Sequence, residues 1–188
     1  MHSKEGTVKR VKFADNKNLY IRRALFALFL VIAAVFQHTD GAIPAVFGAK
    51  ALVLIPLTVC IAMYEKSMGG LSFGILAGAL WDFATVRGDG FYAVVMALVG
   101  YAAGALTVYL VRNHIITALI LSSVASVFVT GTYWFVFIFL KGYEGAWDIL
   151  INFYLPSAVY SVAFTAVYYY LIKNIIKLTA DRKQSKTY

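Results

Sequence analysis

The most regular pattern along the chain is a series of long apolar segments separated by short polar ones. Three of these segments contain no Asp, Glu, Lys or Arg: residues 91–111, 115–140 and 149–172. About 20 such residues are enough for a helix to cross the hydrocarbon core of a bilayer. Three further apolar segments, residues 19–36, 43–64 and 67–81, are shorter or interrupted. The pattern predicts an all-α integral membrane protein, a six-helix transmembrane bundle over residues 19–173.

The bundle is predicted to lie between two basic cytoplasmic tails, residues 1–18 and 174–188, of which the first is expected to be flexible. With six spans both termini share one side, and that side holds all 17 Lys and Arg residues except Lys50, Arg87 and Lys141. Because Lys and Arg favour the cytoplasmic side, both termini are expected there.

Composition supports a membrane protein. The chain is 61% hydrophobic and 14% charged, whereas an average soluble domain has about 25% charged residues. The net charge of +8 is then explained by topology and by attraction to anionic lipid headgroups, and it gives no reason to expect nucleic-acid binding.

The most distinctive stretch runs from residue 69 to residue 104. Gly70, Gly74, Gly78 and Asp82 stand four residues apart, which puts them on one face of a helix. After a short polar turn at residues 87–90, the next apolar segment carries small residues at helical spacing: Ala93, Ala97, Gly100 and Gly104. We expect the two helices to pack through these small faces, because small residues let helices approach closely in lipid.

Asp82 follows the apolar segment 67–81 at the outer end of its predicted helix, whereas the other acidic residues lie in tails or loops. A carboxylate in a membrane span is costly and is therefore a candidate functional group. Three interpretations are open: structural pairing, with Arg87 as the nearest cation in sequence; contact with a partner or ligand; and catalysis. Structural pairing or helix–helix hydrogen bonding is the interpretation we favour.

Hydroxyl groups recur at four-residue spacing in the last two apolar segments. The residues are Ser122, Ser126 and Thr130 in one, and Ser157, Ser161 and Thr165 in the other. Such rows are typical of close helix packing, and lining of a substrate path is the alternative. Of the single residues, His38 is expected to be a solvated interfacial histidine, Cys60 an apolar filler, and Pro56 the site of a kink.

No catalytic motif stands in its required context. There is no HExxH or P-loop and no His/Asp cluster spaced for a metal, and the letters GLSFG at residues 70–74 match GxSxG but lie inside an apolar helical segment and not at a strand-to-helix turn. We therefore expect no enzyme activity, no catalytic residues, no metal and no cofactor.

The stretch GILAGALWDF, a short turn and GFYAVVMALVGYAAG together resemble the signature of the rod shape-determining protein MreD family. The family's characteristic residues map onto Gly74, Gly78, Asp82, Gly90, Gly100 and Tyr101. The ending AAVFQ of the first span also fits, whereas the long basic N-terminus departs from the family pattern.

The resemblance implies a non-enzymatic subunit of the bacterial cell-elongation (rod) complex in the cytoplasmic membrane. It implies binding to the single-span protein MreC and, through it, to MreB filaments and the elongation peptidoglycan synthases. Candidate partner contacts are Trp81, Asp82, Arg87 and Tyr92.

The resemblance also implies a fold similar to the substrate-binding subunits of energy-coupling-factor vitamin transporters, and such a subunit is the alternative function. Those subunits carry an alanine pair four residues apart in the first helix. Here Ala24 is followed by Leu28, Ala27 by Val31 and Ala33 by Gln37, so the pair is missing. A third class, an intramembrane enzyme, has no motif in its favour.

Overall fold

The described part of the chain is helical and contains no strand. The computed structural model describes residues 3–39, 41, 51–85, 89–109, 113–142 and 146–181. The helices are α1 (Ser3–His38), α2 (Leu54–Ala84), α3 (Phe91–Tyr109), α4 (Ile115–Trp134), the short α5 (Ala146–Ile149) and α6 (Leu155–Asp181). Two π-helical turns, Phe135–Phe139 and Leu150–Tyr154, extend α4 and lead into α6.

Within the described residues, four helical stretches are long and apolar enough to cross a membrane, which indicates a multi-pass membrane protein. They are Asn18–His38, Phe91–Tyr109, Ile115–Phe139 and Trp147–Thr179. The described residues thus support four of the six predicted spans. The two predicted spans without such a counterpart are residues 43–64, of which 43–50 lie outside the described residues, and residues 67–81.

Both of those segments belong to α2, which is interrupted rather than continuous. Lys66 has φ 64° and ψ −174°, a non-helical conformation inside the 31-residue element. A Cβ built on Gly70 would lie 2.9 Å from the Cβ of Ala62, although residues eight apart on a straight helix are about 12 Å apart. The chain therefore turns back at Lys66, and the two parts of α2 pack side by side.

The first part of α2 is the centre of the bundle. Every residue from 54 to 63 is buried, as expected of a helix that is apolar all round. Its 12 residues extend only about 18 Å, less than the roughly 30 Å of a hydrocarbon core. Pro56 lies in its first turn, where its missing N–H has no intrahelical partner to lose. The predicted kink at Pro56 is thus wrong, since the break is at Lys66.

The N-terminal segment is helical in the structure. Helix α1 begins at Ser3 and runs without interruption to His38, so residues 3–18 continue the first span as helix. The flexibility expected of this tail stays a prediction.

Contacts between helices give the bundle two distinct ends. At one, which we call the basic end, Arg22 of α1 contacts Glu65 of α2, and Tyr169 of α6 contacts Asn113 before α4. At the other, the aromatic end, His38 lies beside Trp81, and Tyr92 and Tyr154 both lie beside Tyr133. Successive long segments therefore run in alternating directions between the two ends.

Candidate functional site

The second part of α2 and the antiparallel α3 approach each other at backbone contact. A Cβ added at Gly70 would overlap the carbonyl oxygen of Gly100, and one added at Gly100 would overlap that of Gly70. Gly74 meets the backbone of Met96 and Ala97 in the same way, and Gly78 meets that of Tyr92 and Ala93. The glycine face singled out in the sequence thus lies along this contact. We call it the glycine seam, comprising Gly70, Gly74, Gly78, Gly100 and Gly104.

Gly104 ends the seam at the basic end. A Cβ there would lie 2.5 Å from the carbonyl oxygen of Lys66 and 2.8 Å from the amide nitrogen of Ser67. A side chain at residue 104 would therefore push α3 away from the turn in α2.

Asp82 ends the seam at the aromatic end by capping α3 from outside. Its Oδ1 accepts a hydrogen bond from the backbone N–H of Tyr92 at 3.2 Å, and its Oδ2 accepts one from Ala93 at 2.8 Å. The first N–H groups of a helix have no intrahelical partner and carry partial positive charge, so a carboxylate stabilises them. Asp82 is only 6% exposed, and its described contacts are internal to the α2–α3 hairpin.

Aromatic rings join this hairpin to α4 and α6. Trp81 stacks on Tyr92 with centroids 4.3 Å apart and planes within 5°, and Tyr92 stacks on Tyr133 at 5.5 Å. Tyr133 in turn lies 6.1 Å from Tyr154. Trp81 is only 5% exposed, so its ring packs inside this stack and contributes little to the protein surface.

The remaining residues singled out in the sequence do not join the seam. Gly90 precedes α3 with φ +74° and has open space around it. Tyr101 is 43% exposed and lines a cavity between α3 and α4 instead. Arg87, the predicted partner of Asp82, lies outside the described residues.

The cavity between α3 and α4 has a volume of about 370 Å³ and an almost entirely apolar lining. Its walls include Leu98 and Ala102 of α3, and Val124 and Phe128 of α4. It offers one phenol, that of Tyr101, and no charged group, so its chemistry suits hydrocarbon.

One cluster at the basic end was not predicted from the sequence, in which residues 65–66 only separate the apolar segments 43–64 and 67–81. Glu65 has a side chain only 1% exposed, and it binds Arg22 at 2.6 Å and Arg23 at 2.9 Å. The signal in the sequence was an acidic residue among bases at the predicted cytoplasmic side. The cluster fastens α1 to the turn in α2.

Polar side chains also fasten the start of α2. The Leu54 N–H donates to Oε1 of Gln37 at 3.0 Å, and the Leu52 N–H donates to Oγ of Ser161 at 2.7 Å. These bonds satisfy donors at a buried helix start that has no capping side chain of its own.

The described residues contain no group of three or more His, Cys, Asp or Glu placed to hold a metal. Cys60 is fully buried, and His38 binds the carbonyl oxygen of Ala34 through Nδ1 and lies beside the Trp81 ring. The contacts described above hold the helices together and position the starts of α2 and α3.

No protein-family model matches the chain, and neither the curated proteins nor the solved structures contain a match to it.

Proposed function

We propose that this chain is a non-enzymatic membrane subunit of the MreD type, which serves a bacterial cell-elongation complex as a scaffold. In this proposal it resides in the cytoplasmic membrane with both termini in the cytoplasm. It binds a single-span partner of the MreC type and through it links MreB filaments to peptidoglycan synthesis.

The observation that carries the proposal is the convergence of the signature residues on one structural unit. Gly74, Gly78 and Gly100 lie in the seam, and Asp82 caps the helix that returns along it. These residues fix the position of two helices relative to each other, as a scaffold requires. Tyr101 lies on the outward side of the unit.

The proposal predicts which proteins accompany the chain. The tagged protein, extracted from bacterial membranes after mild crosslinking, is expected to recover a single-span partner together with cell-wall elongation proteins. Recovery of paired ATPases and a coupling subunit would instead support the vitamin-transporter alternative. Recovery of neither set would contradict the proposed function.

A variant of Asp82 tests whether the capped hairpin matters for that partnership. Asp82→Asn keeps the size and one acceptor oxygen, so the membrane-inserted amount is expected to stay near normal while partner recovery falls. Because Asp82 is buried, we attribute that loss to a shifted α3. Normal recovery of the partner with both Asp82→Asn and Asp82→Leu would show that Asp82 has no part in partner binding.

The orientation is tested with an impermeant thiol reagent on intact cells. Single cysteines introduced at Lys4 or Lys183 should be protected, and one at Glu144 should react. The side chains of these three positions lie outside the described part of the structure, while the native Cys60 is fully buried and adds no background. Labelling at either terminal position would overturn the proposed orientation.

A further inference from the structure

The ion-pair cluster at the basic end carries more positive than negative charge. Glu65 contacts the guanidinium groups of both Arg22 and Arg23, at 2.6 Å through Nη2 and at 2.9 Å through Nε. The two arginines make no ion pair or hydrogen bond to any other described residue. One carboxylate therefore balances one of two arginine charges, and the exposed Lys66, next in the chain, adds a further positive charge.

Helix α1 supplies no second carboxylate within reach. The neighbours of a residue on a helix surface are those three and four positions away. Around the two arginines these positions hold no acidic residue. They are occupied by Asn18, Leu19, Tyr20, Leu25, Phe26 and Ala27. The surplus charge is therefore left to groups outside the described part of the protein.

This surplus charge faces outward. The Glu65 side chain is 1% exposed, whereas those of Arg22 and Arg23 are 25% and 46% exposed. Arg23 makes its closest contact with Glu65 through Nε, the guanidinium nitrogen nearest the backbone. Its two terminal nitrogens lie further out, and a planar fork of N–H donors of this kind matches the geometry of a phosphate group.

The backbone of both arginines lies below the level of the lipid headgroups. The two residues are inside Asn18–His38, one of the stretches long and apolar enough to cross a membrane. Along α1, Arg23 is only about 20 Å from Phe36, the last residue of the apolar run, whereas the hydrocarbon core is roughly 30 Å thick. Side chains on a helix lean toward its N-terminus, which for α1 is the basic end. A long arginine side chain can reach the headgroups from such a position.

Tyr20 marks the same level. It lies one turn before Arg23 on α1 and is 69% exposed, and tyrosine is enriched where a membrane helix meets the headgroups. The hydrogen-bond acceptors that are abundant at this level are lipid phosphates, and the charge of an anionic lipid is complementary to the surplus on the arginines.

We propose that Arg22 and Arg23 form a binding site for the phosphate of an anionic phospholipid. Glu65 neutralises one of the two guanidinium charges, and the lipid neutralises the other. The site has a fixed position, because both guanidinium groups contact the same buried carboxylate and therefore lie side by side. It differs in this from the diffuse attraction of a basic surface to anionic lipids, to which any exposed lysine contributes.

Native mass spectrometry of the full-length protein in mild detergent counts the lipids that the protein retains. The probes are phosphatidylglycerol, which is anionic, and phosphatidylcholine with the same acyl chains, which has no net charge. The unmodified protein should retain phosphatidylglycerol in preference. Arg23→Gln should weaken that retention about fivefold and leave the retention of phosphatidylcholine unchanged. Equal retention of the two lipids by the unmodified protein would overturn the proposal.

Lys177→Gln is the matched control for charge. Lys177 is exposed on α6 and lies beyond Tyr169 toward the basic end, so this variant and Arg23→Gln each remove one positive charge from the same end of the bundle. Lys177→Gln should change the retention of phosphatidylglycerol much less than Arg23→Gln does. Equal losses from the two variants would show a diffuse attraction and refute the site.

Glu65→Gln is the control for folding. Like Arg23→Gln it removes an ion pair between α1 and the turn in α2, but it leaves both arginine charges in place. The retention of phosphatidylglycerol should therefore be kept or increased. A loss as large as that caused by Arg23→Gln would show that lipid retention depends only on the packing of α1, and the proposal would fail.

Inorganic phosphate distinguishes a lipid site from a site for free anions. Acyl chains hold a lipid phosphate at the depth of the arginines, so an excess of inorganic phosphate should not displace phosphatidylglycerol from the unmodified protein. Displacement by inorganic phosphate would show that free anions bind here, and it would overturn the assignment to a lipid.

Discussion

Helix α3 meets its two neighbours in sequence in opposite ways. Toward α2 it presents Gly100 and Gly104 and packs at backbone contact. Toward α4 it presents Leu98 and Ala102, and there a cavity of about 370 Å³ separates the helices. Both pairs are antiparallel and joined by short links, so chain connection alone does not decide how closely helices pack.

The difference lies in what each face places against the neighbour. Where two glycines meet, no side chain separates the backbones, so dispersion contacts form along the whole seam. Such contacts are the main attraction between helices in lipid. Across the cavity, Phe128 and Val124 of α4 face the small Ala102 and Ala103 of α3 with a gap. Lipid chains are as apolar as these side chains, so nothing drives the gap to close.

The largest expected effect comes from adding the same side chain to each face of α3. Gly100→Leu places a branched side chain where even a Cβ overlaps the Gly70 carbonyl, and it should abolish most properly folded protein. Ala102→Leu adds similar bulk beside the cavity and should leave yield and unfolding midpoint almost unchanged. The measurement is the monodisperse fraction after detergent extraction and its thermal midpoint. Equal losses from both variants would refute the contrast between the faces.

The sequence was informative about the seam for a physical reason. Glycine spacing is a local property, so the face formed by Gly70, Gly74 and Gly78 follows from helix geometry alone. Which helix occupies that face is not local, although the short link to α3 made it the nearest candidate. Tyr101 shows what the pattern does not predict. Because it follows Gly100 directly, its side chain lies on another side of α3 and is exposed.

The number of spans was less predictable because hydropathy does not distinguish lipid from protein surroundings. The first part of α2 is as apolar as a span, yet other helices surround it, and it is too short to cross a bilayer. The turn at Lys66 has no proline or glycine at that position to announce it. The Glu65 cluster joins residues about 40 positions apart, which no local pattern reveals.

The next effect in size concerns the cap that holds α3 against α2. Asp82→Leu leaves the half-buried N–H groups of Tyr92 and Ala93 without their acceptors, at a cost of up to about 1–3 kcal/mol for each. The unfolding midpoint should fall clearly, and Asp82→Asn should fall between this variant and the unmodified protein. An unchanged midpoint for Asp82→Leu would show that other groups satisfy these donors.

A smaller loss of stability is expected when the ion pairs between α1 and the turn in α2 are removed. Glu65→Gln removes the charge that Arg22 and Arg23 share. Breaking a fully buried pair costs about 3–5 kcal/mol, but the arginine side chains are 25% and 46% exposed, so water compensates part of the loss. We expect a decrease of about 1–2 kcal/mol in the free energy of unfolding.

The control for that variant is a distant carboxylate, Asp148→Asn, because residue 148 is exposed. High salt should reduce the difference between Glu65→Gln and the unmodified protein, since exposed charges are screened. A Glu65→Gln protein as stable as the Asp148→Asn control would show that the arginines gain equivalent contacts elsewhere.

A last comparison separates a glycine that is needed for lack of space from a glycine that is needed for its backbone angle. Gly90 has φ +74° but nothing within 4 Å of an added Cβ, whereas the seam glycines lack space. Gly90→Ala should therefore cost only the left-handed backbone penalty, about 1–2 kcal/mol, and Gly90→Asn should cost less because asparagine tolerates that region. Gly100→Ala, with the same added methyl group, should lower the unfolding midpoint far more. If Gly90→Ala is as damaging as Gly100→Ala, the link before α3 is as closely packed as the seam, and the distinction fails.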